Sequence, residues 1–365
     1  MLKIMGFPGE YVQPGEYVQG PNALSSIGQI LKRHQFQNVA IIYDQATEGS
    51  ILKKASDSLE AECIQYSSFK FSGECSYAII NALNEEILKY SPNAIIGLGG
   101  GKAMDTAKAV AKSMNIPIII CPTIASNDAP TSRLIIIYDE FHKVQAVEKT
   151  KSNPEIVIVD TEIIVQAPAR FFSAGIGDAI SKMFEANQCH DSNGLNSFGT
   201  PPLETALLLA NSTYRNLLKW GKSALDDVKL KKNTSIVEKV VESTVLLSGL
   251  GFESGGLSLA HALIRGLTAV PQLSLQLHGE LVAYGTVVQA ILEKREPIFI
   301  EELRGFLKSV DLPTTIYDLG YAHELKEDDL NIIISNTLSN SYSENFVPKI
   351  TPEALKQALI QSNQF

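Results

Sequence analysis

The stretch Asn93–Thr123, NAIIGLGGGKAMDTAKAVAKSMNIPIIICPT, decides the fold class. NAIIGLGGG reads as a buried strand running into a glycine turn, DTAKAVAKSMN as a helix, and IPIIICPT as the next strand. Upstream, QNVAIIYD (37–44) is another strand candidate and SYAIINALNEEILKY (76–90) has helical periodicity. Downstream, EIVIVDTEII (155–164) reads as a further strand. Near-continuous Ile/Val runs alternating with helices imply a parallel sheet covered on both faces, because each strand must be apolar on both sides. The expectation is an α/β nucleotide-binding domain over residues 1–168.

Beyond residue 168 the texture changes. LETALLLANSTYRNLLKWGKSALDDVKL (203–230), SIVEKVVESTVLLSGLG (235–251), GELVAYGTVVQAILEKRE (279–296) and TPEALKQALIQS (351–362) carry apolar residues at helical spacing. An all-helical second domain is expected over residues 169–365, with a ligand cleft between the two halves. GEYVQ at 9–13 recurs at 15–19, a local duplication rather than a solenoid repeat.

Composition narrows the function classes. The 365 residues are 45% hydrophobic and 19% charged, which describes a packed globular protein rather than a disordered one. A net charge of −9 without a basic stripe argues against nucleic acid or an anionic membrane as partner. The N-terminal MLKIMGFPGEYVQPG places Pro and Gly where a signal peptide carries an apolar run, and no stretch matches a membrane span. Cys63, Cys75, Cys121 and Cys189 form no CxxC pair and read as reduced thiols of a cytoplasmic protein.

The glycine turn has phosphate-binding chemistry. Gly97, Gly99, Gly100 and Gly101 follow a strand and precede a helix, where backbone approaches a ligand closely and the helix N-terminus favours an anion. Lys102 stands where the G-x-G-x-x-G pattern needs its last glycine, and Ala103 replaces the Ser/Thr of a Walker A loop. A plain tight turn is the alternative. Asp44 ends the strand VAIIYD, either to bind a ribose diol, favouring NAD over NADP, or to cap the following helix.

A metal centre is suggested further on. GFESGGLSLAH ends at His261, and LHGE brings His278 seventeen residues later. Two imidazoles and the carboxylate of Asp178, in AGIGDAISKMFEA, would leave one position of a catalytic zinc open. Each has a plainer reading. His261 fits a hydrogen-bonded core histidine, LSLQLH passes as a strand with a solvent-facing His, and Asp178 fits a helix cap. His34, His142, His190 and His323 have no motif context and read as surface residues.

Five segments together, GLGGGKAMDTAKAVA, CPTIASNDAPTSRLIIIYDE, SAGIGDAISKMFEA, LLSGLGFESGGLSLAH and LHGELVAYGT, resemble glycerol dehydrogenases of the iron-containing alcohol dehydrogenase superfamily. The resemblance runs from EYVQG to about residue 310. It implies an NAD-binding α/β domain, a helical metal domain of the dehydroquinate synthase-like architecture, and homo-oligomers from dimers to octamers. Asp178, His261 and His278 would ligate the metal. Asp44 would meet the adenosine ribose, and Gly99, Gly100, Gly101, Lys102 and Asp105 would surround the pyrophosphate. Thr123, Ser126, Ser132, Leu134 and Tyr138 match a second cofactor segment, and Asp128 the residue that reaches the substrate hydroxyls.

Departures from the pattern bear on metal and substrate. Iron-dependent members carry a His four residues after the Asp; here it is Lys182, whose ammonium cannot ligate, so zinc is preferred over iron or another divalent ion. The implied chemistry is loss of a hydroxyl proton at the metal and hydride transfer to nicotinamide, oxidising glycerol or a related 1,2-diol. Where the family reads HAxHNG this chain reads HALIRG, and Asn127 replaces a Thr. Ile264 and Arg265, three and four residues past His261, are expected near the metal. Arg265 would then suit a 2-hydroxy acid or a phosphorylated polyol, unless it pairs with a structural acid. A dehydroquinate synthase-like lyase and a catalytically silent homologue rank below either.

Overall fold

The computed structural model describes residues 3–7, 15–140, 142–322 and 325–364. The chain divides into two compact units, Met1–Ala125 with Ala129–Ala167, and Ser126–Asp128 with Pro168–Phe365.

The first unit is built on one sheet. Its strands are β1 (Lys3–Phe7), β2 (Gly15–Gly20), β3 (Asn38–Tyr43), β4 (Gln65–Lys70), β5 (Ala94–Gly99) and β6 (Ile118–Pro122). β7 (Leu134–Tyr138) and β8 (Val144–Lys149) form a separate antiparallel hairpin, and β9 (Ile156–Asp160) returns to the main sheet. The order is β1-β2-β9-β6-β5-β3-β4, with β1 antiparallel to β2 and the other six strands parallel. Helices α1 (Ile27–Arg33), α2 (Ser50–Ala61), α3 (Tyr77–Ile87), α4 (Gly101–Met114) and α5 (Thr161–Gln166) complete the unit.

Both faces of the sheet are buried, which is why its central strands are continuously apolar. Val39, Ile41, Ile96, Leu98, Ile119 and Ile158 form one core with Leu24, Ile27, Leu31 and Leu59. On the other face α4 packs down on β5 at Gly97, where a Cβ would lie 2.8 Å from that of Ala107. The carboxyl ends of β3, β5 and β6 lie side by side, the place where open α/β sheets bind their ligands.

Several elements differ from expectation. EIVIVDTEII is strand only to Asp160, whose carboxylate accepts the Glu162 and Asn22 N–H groups at 3.1 and 3.0 Å and starts a helix. β4 and the hairpin are additional. The second GEYVQ copy forms β2, and the first lies outside the described residues. His142 and His190 are exposed, but His34 is not: its Nε2 sits 2.9 Å from Glu16 Oε2 and its side chain is 6% accessible. His323 lies outside the described residues.

The second unit is helical: α6 (Ala169–Ile180), α7 (Lys182–Asp191), α8 (Glu204–Lys229), α9 (Ser235–Val241), α10 (Ser248–Gly255), α11 (Leu259–Thr268), α12 (His278–Leu292), α13 (Pro297–Ser309), α14 (Glu327–Leu338) and α15 (Pro352–Gln361). A π-helical turn, Glu242–Leu247, joins α9 to α10. Residues 271–276 are turns, so LSLQLH is not a strand. Among the described residues no helix is long and apolar enough to cross a membrane.

Candidate active site

Three helices of the second unit converge on one cluster. Asp178 lies in the last turn of α6, not at its N-terminus, so it does not cap the helix. His261 is in the first turn of α11 and His278 opens α12. Glycines permit the approach: α6 and α12 meet where Gly177 faces the backbone of Gly279, and α12 meets α11 where a Cβ on Gly285 would stand 2.7 Å from the Ala260 carbonyl oxygen.

The donor atoms have the spacing of a coordination site. Asp178 Oδ1 is 3.3 Å from His261 Nε2 and 3.5 Å from His278 Nε2. One ligand atom from each residue lies within 4.8 Å of the others. Tetrahedral zinc with bonds of about 2.0–2.1 Å sets its ligands about 3.3 Å apart, so these residues fit a divalent ion.

Glu185, on α7, orients the first histidine. Its Oε2 lies 2.6 Å from His261 Nδ1, and its Oε1 accepts the Ser258 and His261 backbone N–H groups at 2.9 Å each. The ring proton is therefore held on Nδ1, and the Nε2 lone pair is turned toward Asp178, an arrangement typical of metal-ligating histidines. Burial pushes the Glu185 carboxyl up, but His261 and Lys182 outweigh it and hold it below its ordinary range. Sequence reasoning missed Glu185, although Asp178, Lys182 and Glu185 stand at i, i+4 and i+7, the spacing of one helix face.

Asp128 is bound to the same cluster. Its backbone N–H donates to Asp178 Oδ2 at 3.2 Å, and its own Oδ2 accepts from Ser248 Oγ at 2.6 Å. Ser248, which begins α10 just after the π turn, had no sequence signal. Lys182 Nζ completes the network, 2.7 Å from Asp178 Oδ1 and 3.3 Å from Asp128 Oδ2.

Charge is the dominant feature of this cluster. Three buried carboxylates, Asp128, Asp178 and Glu185, face one buried ammonium. Burial alone pushes the Asp178 carboxyl up, yet Lys182, His261 and His278 hold it well below the ordinary range. Asp128 goes the other way, raised by burial and by the neighbouring Asp178 charge. The carboxylates outnumber the ammonium, and a divalent ion bound there would offset their excess negative charge.

All the candidate cofactor residues but Ser126 lie in the first unit. Asp44, just past β3, accepts the Gly100 N–H on Oδ2 at 2.9 Å and the Thr47 N–H on Oδ1 at 3.2 Å. It therefore ties down a turn and does not cap α2, whose N-cap is Gly49. Gly99 has a φ of 154°, and a Cβ there would stand 2.5 Å from Asp44 Oδ2. Gly101 starts α4, and Thr123 donates its N–H to Gly99 O at 3.1 Å. Lys102 is bound to Glu74 at 2.5 Å and lies 5.9 Å from the Tyr138 ring centre.

Asp105 is buried, accepting the Ile136 N–H at 3.1 Å with Lys108 Nζ at 3.4 Å, so it joins α4 to β7. Ser132 Oγ accepts the Leu134 N–H at 2.9 Å. Burial pushes the Tyr138 hydroxyl up to about 12. Ser126, half-buried, belongs to the second unit. Arg265 is exposed and has no ion-pair partner among the described residues; Ile264 is half-buried.

Comparisons with known proteins show the family. Residues 14–161 match the family model described as iron-containing alcohol dehydrogenase. The chain is 34% identical to a glycerol dehydrogenase of Citrobacter freundii, over 96% of each protein. It is 35% identical to a glycolaldehyde reductase of Halobacterium salinarum, over 97% of each. The crystal structure of Schizosaccharomyces pombe glycerol dehydrogenase superposes with a TM-score of 0.90 at 35% identity, covering 95% of this chain and 88% of that one.

Proposed function

This chain belongs to the iron-containing alcohol dehydrogenase family and is an alcohol oxidoreductase, and we propose that it oxidises the secondary hydroxyl of glycerol or a related 1,2-diol. The observation that carries the reading is the Asp178–His261–His278 donor set, at zinc-like spacing inside a cluster short of positive charge. In this reading the three residues hold zinc, and NAD is the hydride acceptor.

The bound ion would supply Lewis acidity toward the alcohol oxygen, and the nicotinamide a place for the hydride. The chain's own residues do the positioning. Glu185 keeps the His261 Nε2 lone pair aimed at the site. Asp128, braced by Ser248 and by the Asp178 carboxylate, offers a buried acceptor for a second hydroxyl of a diol. Gly99, Gly100, Gly101, Lys102, Asp105 and Thr123 support the reading of a dinucleotide site at the carboxyl ends of β5 and β6, with Ser132, Leu134 and Tyr138 as its second segment. Asp44, at the end of β3, would favour NAD over NADP there.

Nothing in the placement of the exposed Arg265 favours a 2-hydroxy acid or phosphorylated polyol over a free diol. We take the protein to be a cytoplasmic homo-oligomer. The reading is tested by metal analysis coupled to NADH absorbance on glycerol, 1,2-propanediol, glycerol 1-phosphate and 2-hydroxy acids with either dinucleotide. Turnover that survives exhaustive chelation, or an Asp178→Ala protein with unchanged rate, would overturn it.

A further inference from the structure

Lys182 occupies the candidate metal centre in a way the family resemblance does not explain. It opens α7 one turn after Asp178, and its side chain is 1% accessible. It is held in ion pairs with the buried carboxylates of Asp178 and Asp128. Its Nζ is 2.7 Å from Asp178 Oδ1 and 3.2 Å from His261 Nε2. These are two of the three atoms that a metal ion would use.

The two acceptors differ in capacity. A carboxylate oxygen has more than one lone pair and can serve two partners. An imidazole nitrogen has one. With the ring proton on Nδ1 facing Glu185, the single Nε2 lone pair of His261 serves either the ammonium or a metal ion. Asp128 Oδ2, 3.3 Å from Nζ, is the nearest alternative anchor for the ammonium.

We propose, resting on the metal reading above, that Lys182 is a built-in competitor for the metal: its ammonium and a divalent ion alternate on His261 Nε2. Loading the ion moves the ammonium toward Asp128, so metal occupancy also fixes the carboxylate that faces the substrate hydroxyls. The site then binds its ion less tightly than its two imidazoles and three carboxylates would otherwise allow.

The test uses full-length protein stripped with a chelator. Wild type, Lys182→Met, Lys182→Thr and Asp178→Ala are titrated with zinc against a chromophoric chelator, and their melting is followed with and without zinc. Lys182→Met and Lys182→Thr should bind zinc at least tenfold more tightly, with a larger zinc-induced rise in Tm. Equal or weaker affinity in both variants overturns the proposal. Should a stripped variant be too unstable to titrate, a zinc-induced rise no larger than that of wild type overturns it equally. Asp178→Ala separates the two layers of the argument. If it abolishes zinc binding while the Lys182 variants match wild type, the metal site stands and the competitor role falls. If it binds zinc as wild type does, the metal reading falls and takes the proposal with it.

Discussion

Gly177 on α6 faces the backbone carbonyl of Gly279 on α12 with no room for a methyl group between them. Gly279 in turn lies against the Ala174 carbonyl, so neither position accepts a Cβ. The contact sets Asp178 beside His278, since each is the chain neighbour of one of these glycines.

Gly279→Ala should therefore damage the proposed metal centre as well as the packing. Overpacking a close helix contact costs about 1–3 kcal/mol. Because the two backbones must part, the Asp178–His278 spacing should widen, and zinc affinity should fall more than stability does. Gly305→Ala is the control, on an exposed part of α13 with open space around it. It should stabilise the protein by about 0.5–1 kcal/mol through lost chain entropy. Melting curves and zinc titrations of both variants check the pair.

Glu185→Gln should weaken metal binding without unfolding the protein. The amide can still accept the Ser258 and His261 N–H groups through its oxygen. Its NH2 group then faces His261 Nδ1, and the ring proton is no longer held there. Losing such an orienting carboxylate typically costs 10–100-fold in metal affinity or activity. The expected signature is a lower kcat restored in part by excess zinc, with KM for NAD unchanged.

How far the fold and the site could be read from sequence follows from which residues face the core. β5, α4 and β6 were legible because both faces of the strands are buried and Ile/Val runs leave no other reading. β4 was not: Phe69 is its only fully buried residue, and QYSSFK shows no apolar pattern. The β7–β8 hairpin escaped because LIIIY resembles a core strand while its partner VQAVEK is largely exposed. Asp178, His261 and His278 were candidates by residue type, each with a plainer reading, and the resemblance joined them, since spacing alone could not bring together residues from three helices. Lys182 was legible only as a residue unable to ligate. Its contacts with Asp128 and His261 depend on tertiary packing, and no spacing encodes them.

Asp318 supplies a pH dependence of stability. Its Oδ2 accepts the Thr314 and Thr315 N–H groups at 2.9 and 3.0 Å. Burial pushes this carboxyl up, but those hydrogen bonds outweigh it and hold it below its ordinary value. A folded-state pKa below the unfolded one means stability that is complete above about pH 5 and lost as pH falls through the depressed value. Asp318→Ala should cost about 1 kcal/mol at pH 7, roughly 2 °C in Tm. The difference from wild type should shrink as melting is repeated from pH 5 down to pH 3.

The four cysteines should react unequally. Cys63 is exposed, whereas Cys75, Cys121 and Cys189 are buried. Burial pushes the Cys75 thiol up to about 12 and Cys189 to about 11, and raises Cys121 as well. The thiolate is the reactive form, so the buried thiols are doubly protected. At pH 8 a disulfide reagent should titrate one thiol in the native protein and four in denaturant. Rapid reaction of a second native thiol would show that one of the buried sites opens.

Asp128 separates substrate recognition from site assembly. Asp128→Asn keeps an oxygen that can accept from Ser248 and a backbone N–H for Asp178. It loses the negative charge offered to a second hydroxyl. A hydrogen bond to a charged group contributes about 1.5–3 kcal/mol, so kcat/KM for 1,2-propanediol should fall roughly 10–100-fold. Propan-2-ol has no second hydroxyl to bind, and its kcat/KM should change by no more than about threefold on the same logic. The ratio between the two alcohols is therefore the measurement that matters. If both fall together, Asp128 acts by holding Lys182 and Asp178 in place, and the second hydroxyl is recognised elsewhere.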